Sequence, residues 1–325
     1  MDKLRTAVIG VGHLGRHHAR WFKTIKASEL IGVYDADQDK CRKVAEELGV
    51  IAFADLSEIA GKVDAVSIAV PTTNHFEVAE QLIMQRIHCL IEKPIAATVE
   101  QAEKLTAQAG KYNIVLTVGH IERFNPAVEA LKNYRIAPRF IEAHRLAAFD
   151  PRGADVAVVL DLMIHDIDLA LHLIKSKVKR IDASAVAVIS DRHDIANARL
   201  TFENGAVANL TASRISLHAM RKLRIFQKSG YFSLDLAEKQ ADIYRLADDN
   251  NNDIPGMRVP LGKSGHDIIY NKAGAKDDDM LCKELTAFAH SVQTGAAPEV
   301  SSSEATEALR VAVEIDRIGM NGDRF

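Results

Sequence analysis

The first 35 residues contain a short apolar run, a glycine-rich loop, a helical pattern and a second apolar run, in that order. The first run covers residues 6–9 and leads into Gly10-Val11-Gly12-His13-Leu14-Gly15, which has the spacing GxGxxG. Gly10 permits a tight turn, Gly12 lets the backbone approach a pyrophosphate, and Gly15 lets the following helix pack on a sheet. The N-terminus of that helix would face the phosphates. The pattern predicts a dinucleotide-binding strand–helix–strand unit.

An acidic residue follows the second apolar run. Asp35 lies 20 residues beyond Gly15, where a carboxylate would accept hydrogen bonds from the adenosine ribose hydroxyls and repel a 2′-phosphate. We therefore predict NAD as the cofactor and disfavour NADP. An ordinary tight turn followed by an unrelated acid is the alternative, and the complete order of strand, loop, helix, strand and acid argues against it. Within the loop, His13 and Leu14 join the predicted cofactor contacts, and His13 would contact the diphosphate through its backbone.

Composition narrows the class of protein. A chain of 325 residues has room for two domains, and 47% hydrophobic with 26% charged residues indicates a globular protein. A net charge of −3 gives no general attraction to nucleic acid or to an anionic membrane, and no apolar run is long enough to span a bilayer. We expect no signal peptide ahead of the first strand, and three scattered cysteines are typical of reduced thiols. These features predict a cytoplasmic protein without nucleic-acid or membrane partners.

Strands and helices alternate through the first third of the chain, which predicts an α/β fold with a doubly wound parallel sheet. We interpret residues 1–122 as a Rossmann domain. Thr98 and Gln101 have the spacing of a capping box at the start of its last helix. The predicted strands cover 6–9, 30–34, 51–53, 65–70, 88–91 and 114–118, and the predicted helices cover 13–27, 38–48, 73–86 and 98–112.

Residues 123–325 have a different pattern, in which adjacent strand-like runs are separated by tight turns. This predicts an α+β domain with an open, mostly antiparallel sheet for substrate binding and oligomerisation. Asn204-Gly205 has the composition of a type I′ hairpin turn. Residues 247–279 have weak periodicity and are interpreted as a long irregular loop. The predicted strands cover 180–190, 196–203, 206–214, 222–228 and 231–236. Helices are predicted after Pro126 and over 156–174, 280–294 and 302–319, and the last two could pack back on the Rossmann domain.

Lys93 follows a predicted strand at the edge of the sheet where a ligand would bind. The fifth predicted strand ends in Ile91-Glu92-Lys93-Pro94, and ligands of an open parallel sheet bind outside the carboxyl ends of its strands. A lysine there could hydrogen-bond a reacting hydroxyl and stabilise negative charge on its oxygen. A surface lysine at a strand end is the alternative for any isolated lysine.

The segment Pro71-Thr72-Thr73-Asn74-His75 follows the fourth predicted strand. Its position predicts contacts with the ribose or nicotinamide side of the cofactor. For the two threonine hydroxyls, capping of the next helix is the favoured alternative.

Asp161 and His165 form a second cluster. Residues four apart lie on one face of a helix, so the carboxylate would orient the imidazole as a base that takes a proton from an alcohol. His165 could instead be a core or capping histidine. A metal bound by Asp161, His165 and His172 is a further alternative, but a clear third ligand is lacking and hydride transfer needs no metal. We therefore predict no metal.

Several basic or polar residues lie near these clusters. Arg123 and Asn125 follow the sixth predicted strand and could reach cofactor or substrate, and Arg152 precedes the helix of Asp161. Arginines near a cleft would suit a phosphate-bearing substrate. The same residue type occurs on the predicted antiparallel sheet at Arg214, Arg221 and Arg224, where most arginines would be solvated or in ion pairs.

Taken together, the glycine loop, Asp35, Glu92-Lys93-Pro94 and Asp161-x-x-x-His165 resemble the glucose–fructose oxidoreductase/inositol dehydrogenase/rhizopine catabolism (Gfo/Idh/MocA) family over essentially the whole chain. The resemblance implies a Rossmann domain, an open-sheet domain, a homodimer or homotetramer, and NAD(P)-dependent oxidation or reduction of sugars and cyclitols. It implies that Lys93 and His165 are the catalytic pair, with Asp161 as helper or sugar-hydroxyl ligand.

A narrower resemblance lies in residues 118–126 and 161–168, which are similar to the branch that oxidises C3 of UDP-N-acetylglucosamine. The loop of Arg152 also fits that branch, in which an aminotransferase converts the keto sugar for lipid A. A free sugar, inositol or UDP-sugar uronate remains an alternative substrate. A non-catalytic NAD-binding regulator is a rival of another class, but we would expect it to lack Lys93 or His165.

Overall fold

The structure is a computed structural model, and it describes residues 2–150, 156–247, 256–260, 267–275 and 278–322. The chain divides into two compact units. The first contains residues 1–121 and 279–309, and the second contains residues 122–278 and 310–325. Within the described ranges, no helix combines the length and the apolar composition that crossing a membrane requires.

A six-stranded sheet forms the centre of the first unit. All neighbouring strands in it are parallel, and their order is β3-β2-β1-β4-β5-β6, the order of a dinucleotide-binding Rossmann sheet. The predicted parallel sheet is therefore confirmed. The strands are β1 (Leu4–Ile9), β2 (Ser28–Tyr34), β3 (Ile51–Ala52), β4 (Ala65–Ile68), β5 (His88–Glu92) and β6 (Leu116–Gly119).

Amphipathic helices cover this sheet. Phe22 of the first helix and Phe288 near the C-terminal end of the chain lie in one apolar core with the sheet residue Val8. Thr98 caps its helix by accepting a hydrogen bond from the Gln101 backbone at 3.3 Å, as predicted. The helices are α1 (His13–Thr24), α2 (Gln38–Leu48), α3 (His75–Met84), α4 (Val99–Tyr112) and, later in the chain, α7 (Met280–Thr294) and the part of α8 (Ser302–Gly322) up to Leu309.

A nine-stranded sheet forms the second unit, in the order β14-β15-β13-β12-β11-β7-β10-β9-β8. The strands are β7 (Phe140–Leu146), β8 (Val178–Val186), β9 (Ile195–Phe202), β10 (Val207–Ser213), β11 (Met220–Gln227), β12 (Gly230–Asp235), β13 (Gln240–Leu246), β14 (Met257–Pro260) and β15 (Asp267–Gly274). Every neighbouring pair is antiparallel except β7 with β10, so the predicted open, mostly antiparallel sheet is confirmed. Two helices accompany it, α5 (Pro126–Glu129) and α6 (Ile164–Ile174).

Two local predictions for this unit are wrong. Residues 247–279 are not a single irregular loop, because they contain β14 and β15. These strands lie at one edge of the sheet and are half-exposed on both faces, so no alternation of buried and exposed residues marks them in the sequence. The hairpin at Asn204-Gly205 exists, but only Gly205 has a positive φ, +81°. A type I′ turn needs two such residues, and the three-residue loop with a left-handed glycine takes its place.

Candidate active site

The three glycines of the loop differ in what surrounds them. A Cβ on Gly10, which has φ +85°, would lie 2.7 Å from the carbonyl oxygen of Ala69, and a Cβ on Gly15 would lie 1.8 Å from that of Gly10. Among the residues that the structure describes, a Cβ on Gly12 would meet no atom within 4 Å. The packing of the protein itself therefore requires glycine at positions 10 and 15 but leaves open space at position 12.

That open space suits an anionic ligand. Gly12 immediately precedes α1, no side chain caps this helix end, and its first turn contains no acidic residue. The backbone N–H groups and the dipole of a helix N-terminus favour a phosphate group. His13 and Leu14 are exposed in this first turn. The residues present thus fit the pyrophosphate of a dinucleotide.

Asp35 follows β2 and braces the glycine loop. Its Oδ2 accepts a hydrogen bond from the Val11 backbone at 2.8 Å, and its Oδ1 accepts one from the Asp37 backbone at 3.0 Å. Lys40 Nζ lies 3.5 Å from the same Oδ1. The carboxylate at the position predicted to bind ribose therefore also ties the loop to the end of the second strand.

The threonine hydroxyls in the segment after β4 do not cap the next helix. A 3₁₀ turn covers Thr72–Asn74, and neither it nor α3 has a side-chain cap, so the threonine-cap alternative is wrong. Pro71 and Asn74 are exposed, and Thr72 is half-buried.

His75 is 1% exposed and lies between two loops. Its Nδ1 is 2.8 Å from the Pro94 carbonyl oxygen and its Nε2 is 2.9 Å from that of Val70. Burial lowers the pKa of His75, against the two carbonyl contacts. The imidazole therefore links the loops after β4 and β5, and it holds the residue next to Lys93.

A buried polar chain lies beneath the Glu92-Lys93 step. Glu92 Oε1 is 2.9 Å from Nε2 of His18, and Nδ1 of His18 is 2.7 Å from the Ser67 hydroxyl. Burial favours the neutral acid, but His18 and Lys93 hold the pKa of Glu92 below its ordinary value. This role of His18 was not predicted from the sequence. The available signal was that His18 lies four residues before Phe22, on the buried face of α1.

Asp161 and His165 lie in the second unit at the start of α6. Asp161 belongs to a π-helical turn, Val159–Met163, and His165 belongs to the first turn of the α-helix. Both residues are half-buried, whereas Met163 between them is fully buried. Residues four apart point to one side of a helix, and π-turns occur frequently at functional sites. The predicted helix over 156–174 is present, since helical structure covers 158–174, and the π-turn is a local irregularity within it.

Buried contacts hold the beginning of that turn. The Val158 backbone donates to the His193 carbonyl at 2.9 Å, and Arg214 donates to the carbonyl of Val156. Arg214 Nε also lies 3.7 Å from Asp194. Arg214 is therefore an internal anchor of the segment that carries Asp161, not a solvated arginine of the sheet.

Arg123 and Asn125 do not have the surroundings of ligand-binding residues. Arg123 is 1% exposed and forms two hydrogen bonds of 2.7 Å with Asp168, and its Nη1 is 2.5 Å from Nδ1 of His172. Asn125 is fully buried, caps α5 through the Ala127 backbone at 3.1 Å and donates to the Leu236 carbonyl at 2.9 Å. Both side chains have partners inside the second unit, and their contact with cofactor or substrate stays a prediction.

Two other predictions concern a metal ion and Arg152. Among the described residues no group of three His, Cys, Asp or Glu side chains could hold a metal ion. His172, a ligand in the metal alternative, instead contacts Arg123. Arg152 lies outside the described residues.

A buried ionic network in the second unit was not predicted from the sequence. Arg145, which is 4% exposed, contacts Asp166 at 2.9 Å and Glu122 at 2.9 Å. Glu122 accepts a further bond from Asn125 at 3.0 Å. This network joins β7 to the helix of His165, because Asp166 is the next residue along α6.

Comparisons with known proteins agree with this architecture. Residues 4–120 match the family described as "Oxidoreductase family, NAD-binding Rossmann fold", and residues 138–233 match the "GFO/IDH/MocA C-terminal domain". The chain is 43% identical over 259 residues to UDP-N-acetylglucosamine 3-dehydrogenase of Acidithiobacillus ferrooxidans, an alignment that covers 79% of this chain and 82% of that protein. It is 25% identical over 325 residues to myo-inositol 2-dehydrogenase of Thermotoga maritima, covering 94% and 93%.

A solved structure gives the same assignment in three dimensions. The UDP-N-acetylglucosamine 3-dehydrogenase GnnA from Acidithiobacillus ferrooxidans superposes with a TM-score of 0.88 and 36% identity, and the match covers 98% of each chain. With the Rossmann strand order, the glycine cradle and the mixed second sheet, these matches show that the chain belongs to the Gfo/Idh/MocA family of NAD-binding oxidoreductases.

Proposed function

We propose that the protein is an NAD-dependent dehydrogenase that oxidises the C3 hydroxyl of UDP-N-acetylglucosamine. The observation that carries the proposal is that Lys93 follows β5, and Asp161 and His165 lie four residues apart in the π-turn and the first turn of α6, in a chain 43% identical to a protein named for this reaction. A homodimer or homotetramer in the cytoplasm is part of the proposal. Its support is the family membership and three free cysteine thiols, which are typical of a reducing compartment.

NAD fits the first unit. The backbone of Gly12, His13 and Leu14 would hold the pyrophosphate, and Asp35 would accept the ribose hydroxyls. Pro71, Thr72, Asn74 and Glu92 follow the neighbouring strands and would lie on the nicotinamide side, with His75 acting through the backbone it holds. NAD, when bound, accepts the hydride that leaves the carbinol carbon. We propose NAD over NADP because the Asp35 carboxylate would repel a 2′-phosphate.

Three side chains divide the work at the hydroxyl. His165 takes the hydroxyl proton, and the carboxylate of Asp161 orients the imidazole or binds a neighbouring sugar hydroxyl. Lys93 donates a hydrogen bond to the same oxygen and stabilises its growing negative charge. We propose Lys93, Asp161, His165 and Arg152 as substrate contacts.

The test mixes purified protein with NAD and UDP-N-acetylglucosamine and follows the absorbance of the reduced nicotinamide. Glutamate and a ketone-consuming aminotransferase are included, since alcohol oxidation by NAD can stall at an unfavourable equilibrium. Such an aminotransferase is also the proposed partner in the cell. Turnover with the UDP-sugar, and none with N-acetylglucosamine, is the expected result.

Substitutions separate chemistry from binding. Lys93→Met and His165→Asn should each reduce turnover by roughly 10²- to 10⁴-fold while NAD affinity changes only a fewfold. Lys26→Met and His218→Asn are matched controls, because both side chains are exposed in the same two units. Wild-type turnover in either active-site variant would refute the assigned roles.

The same assay decides between the alternatives. Turnover with myo-inositol, a free sugar or a UDP-sugar uronate, but not with UDP-N-acetylglucosamine, would keep a dehydrogenase and reject the substrate. The relative named myo-inositol 2-dehydrogenase makes inositol the first of these to try. NAD binding without turnover of any of them would favour a regulator.

A further inference from the structure

Glu284 is a carboxyl group inside the first unit for which the proposed reaction has no role. It lies on α7, is 3% exposed, and neither of its carboxyl oxygens has a hydrogen-bond partner among the described residues. The adjacent residue Leu285 and the next turn's Phe288 pack into the core that α7 shares with α1. An ionised carboxyl group in such surroundings would strongly destabilise the folded protein.

Glu92 acts electrostatically on Glu284 and raises its pKa. The Glu92 carboxylate lies beside the neighbouring strand β6, since a Cβ added to Gly119 would lie 3.1 Å from Glu92 Oε2. Among the described residues, the charged and titratable groups that act on these two carboxyl groups are His18 from α1 and Lys93 from the end of β5, both on Glu92, and Glu92 itself on Glu284 of α7. The first unit therefore contains two interacting carboxyl groups, one of which belongs to the residue before Lys93 of the proposed active site.

Two carboxyl groups that share a buried space do not both ionise, and their partners decide which one keeps the proton. Glu92 lies 2.9 Å from His18 Nε2 and accepts the Lys93 backbone N–H at 3.3 Å. Glu284 has no comparable donor within the part of the chain that the structure describes. Burial, and then the charge of Glu92, raise the pKa of Glu284 well above its ordinary value. Of the two carboxyl groups, Glu92 is therefore the ionised one and Glu284 is the protonated one.

We propose that Glu284 is an uncharged carboxylic acid at neutral pH and acts as a positioning residue for Lys93. By staying neutral it lets the Glu92 carboxylate remain beside His18, and the Glu92–His18 pair holds the peptide from which the Lys93 side chain extends. The positioning role rests on the function proposed above for Lys93, whereas the protonation of Glu284 does not.

A consequence follows at alkaline pH. Once Glu284 loses its proton, two negative charges face each other and the Glu92 side chain is driven away from His18. The peptide of Lys93 then loses its support, and turnover falls. The Glu284→Gln side chain has nearly the same shape but cannot ionise, so it removes this cause of alkaline loss.

The first experiment needs no substrate. Infrared spectra of the full-length protein are recorded near neutral pH for the wild type, Glu284→Gln and Glu77→Gln, in which Glu77 is an exposed control. A carbonyl-stretch band of a protonated carboxylic acid should appear in the difference spectrum of wild type minus Glu284→Gln and be absent for Glu77→Gln. A flat difference spectrum for both variants would overturn the protonation of Glu284.

Unfolding provides a second measurement without substrate. The folded protein holds the Glu284 proton to a higher pH than the unfolded chain, whose ordinary glutamate pKa is 4.5. Wild type should therefore lose stability as the pH rises from 4.5 towards the folded pKa, and Glu284→Gln should not show this loss. Parallel unfolding midpoints for the two proteins across this range would contradict the inference.

The pH dependence of turnover tests positioning. The ratio of kcat at about pH 9 to kcat at about pH 7 should be at least about threefold higher in Glu284→Gln than in wild type or Glu77→Gln. Equal ratios, together with the infrared band, would mean that Glu284 is protonated but only structural. Absence of turnover with every substrate would instead refute the proposed function, and the two substrate-free measurements would still decide the state of Glu284.

Discussion

Replacing Gly12 with alanine should separate cofactor binding from folding. The new methyl group would point into open space, with no protein atom within 4 Å, and the backbone there has a negative φ of −67°. Alanine is a poorer residue than glycine immediately before a helix, by about 0.5–1 kcal/mol, but it also restricts the unfolded chain by a similar amount. The free energy of unfolding should therefore change by no more than about 0.5 kcal/mol.

The cost should appear when NAD binds. A methyl group inserted where the pyrophosphate approaches acts as overpacking, which costs about 1–3 kcal/mol, equivalent to roughly 5- to 150-fold weaker affinity. Isothermal titration calorimetry with NAD would measure that loss, and thermal unfolding without NAD would measure stability.

Gly15→Ala provides the matched control within the same loop. Its Cβ would lie 1.8 Å from the Gly10 carbonyl oxygen, so the backbone must move and the protein should lose about 3 kcal/mol or more of stability before any ligand is added. Wild-type NAD affinity in Gly12→Ala would refute the pyrophosphate assignment. A loss of stability in Gly12→Ala as large as that in Gly15→Ala would refute the reasoning from open space.

Three further substitutions test individual charges. Asp35→Asn should raise the ratio of kcat/KM for NADP over NAD by about tenfold, because a negative charge near the 2′-phosphate is removed, and an unchanged ratio would reject that role. Arg123→Met leaves Asp168 buried without its 2.7 Å partner and should lower the free energy of unfolding by about 3–5 kcal/mol in denaturant titrations. If Arg123→Met instead has a raised KM and wild-type stability, Arg123 would be a substrate-binding residue. Burial opposes ionisation of Asp194, but the backbone N–H groups of residues 188–190 outweigh it and hold the pKa of Asp194 well below its ordinary 3.8. Wild type should therefore lose stability as the pH falls below 3.8. In Asp194→Asn, the unfolding midpoint should depend less steeply on pH in this range. An equally steep dependence in the two proteins would contradict this prediction.

Local patterns carried most of the fold prediction. The parallel sheet follows from strand and helix periodicities that alternate over short stretches, and the Thr98 cap of α4 follows from residues three apart. The edge strand β14 and its neighbour β15 were not predicted, because their residues are half-buried or exposed without a regular alternation of buried and exposed positions. The hairpin turn was located correctly at Gly205 but its type was wrong, since that depends on the φ of Asn204 as well as on composition.

Polar residues were harder to assign than apolar ones. Arg123 and Asn125 follow the sixth strand and looked accessible, yet each is satisfied by partners 45 and 111 residues further along the chain. Glu284 has no sequence signal at all, because its protonation depends on burial and on Glu92 nearly two hundred residues earlier.

The sequence by itself determined the two-part architecture, the glycine cradle with Asp35, and the spacing of Asp161 and His165. Each of these depends on chain geometry within a few residues or on regular periodicity. Only the tertiary structure decided which charged groups remain available to a ligand and which neutralise one another inside the protein. The reason is physical: the energy of a buried charge depends on the distance to its partner and on the loss of water, and neither is written in local sequence.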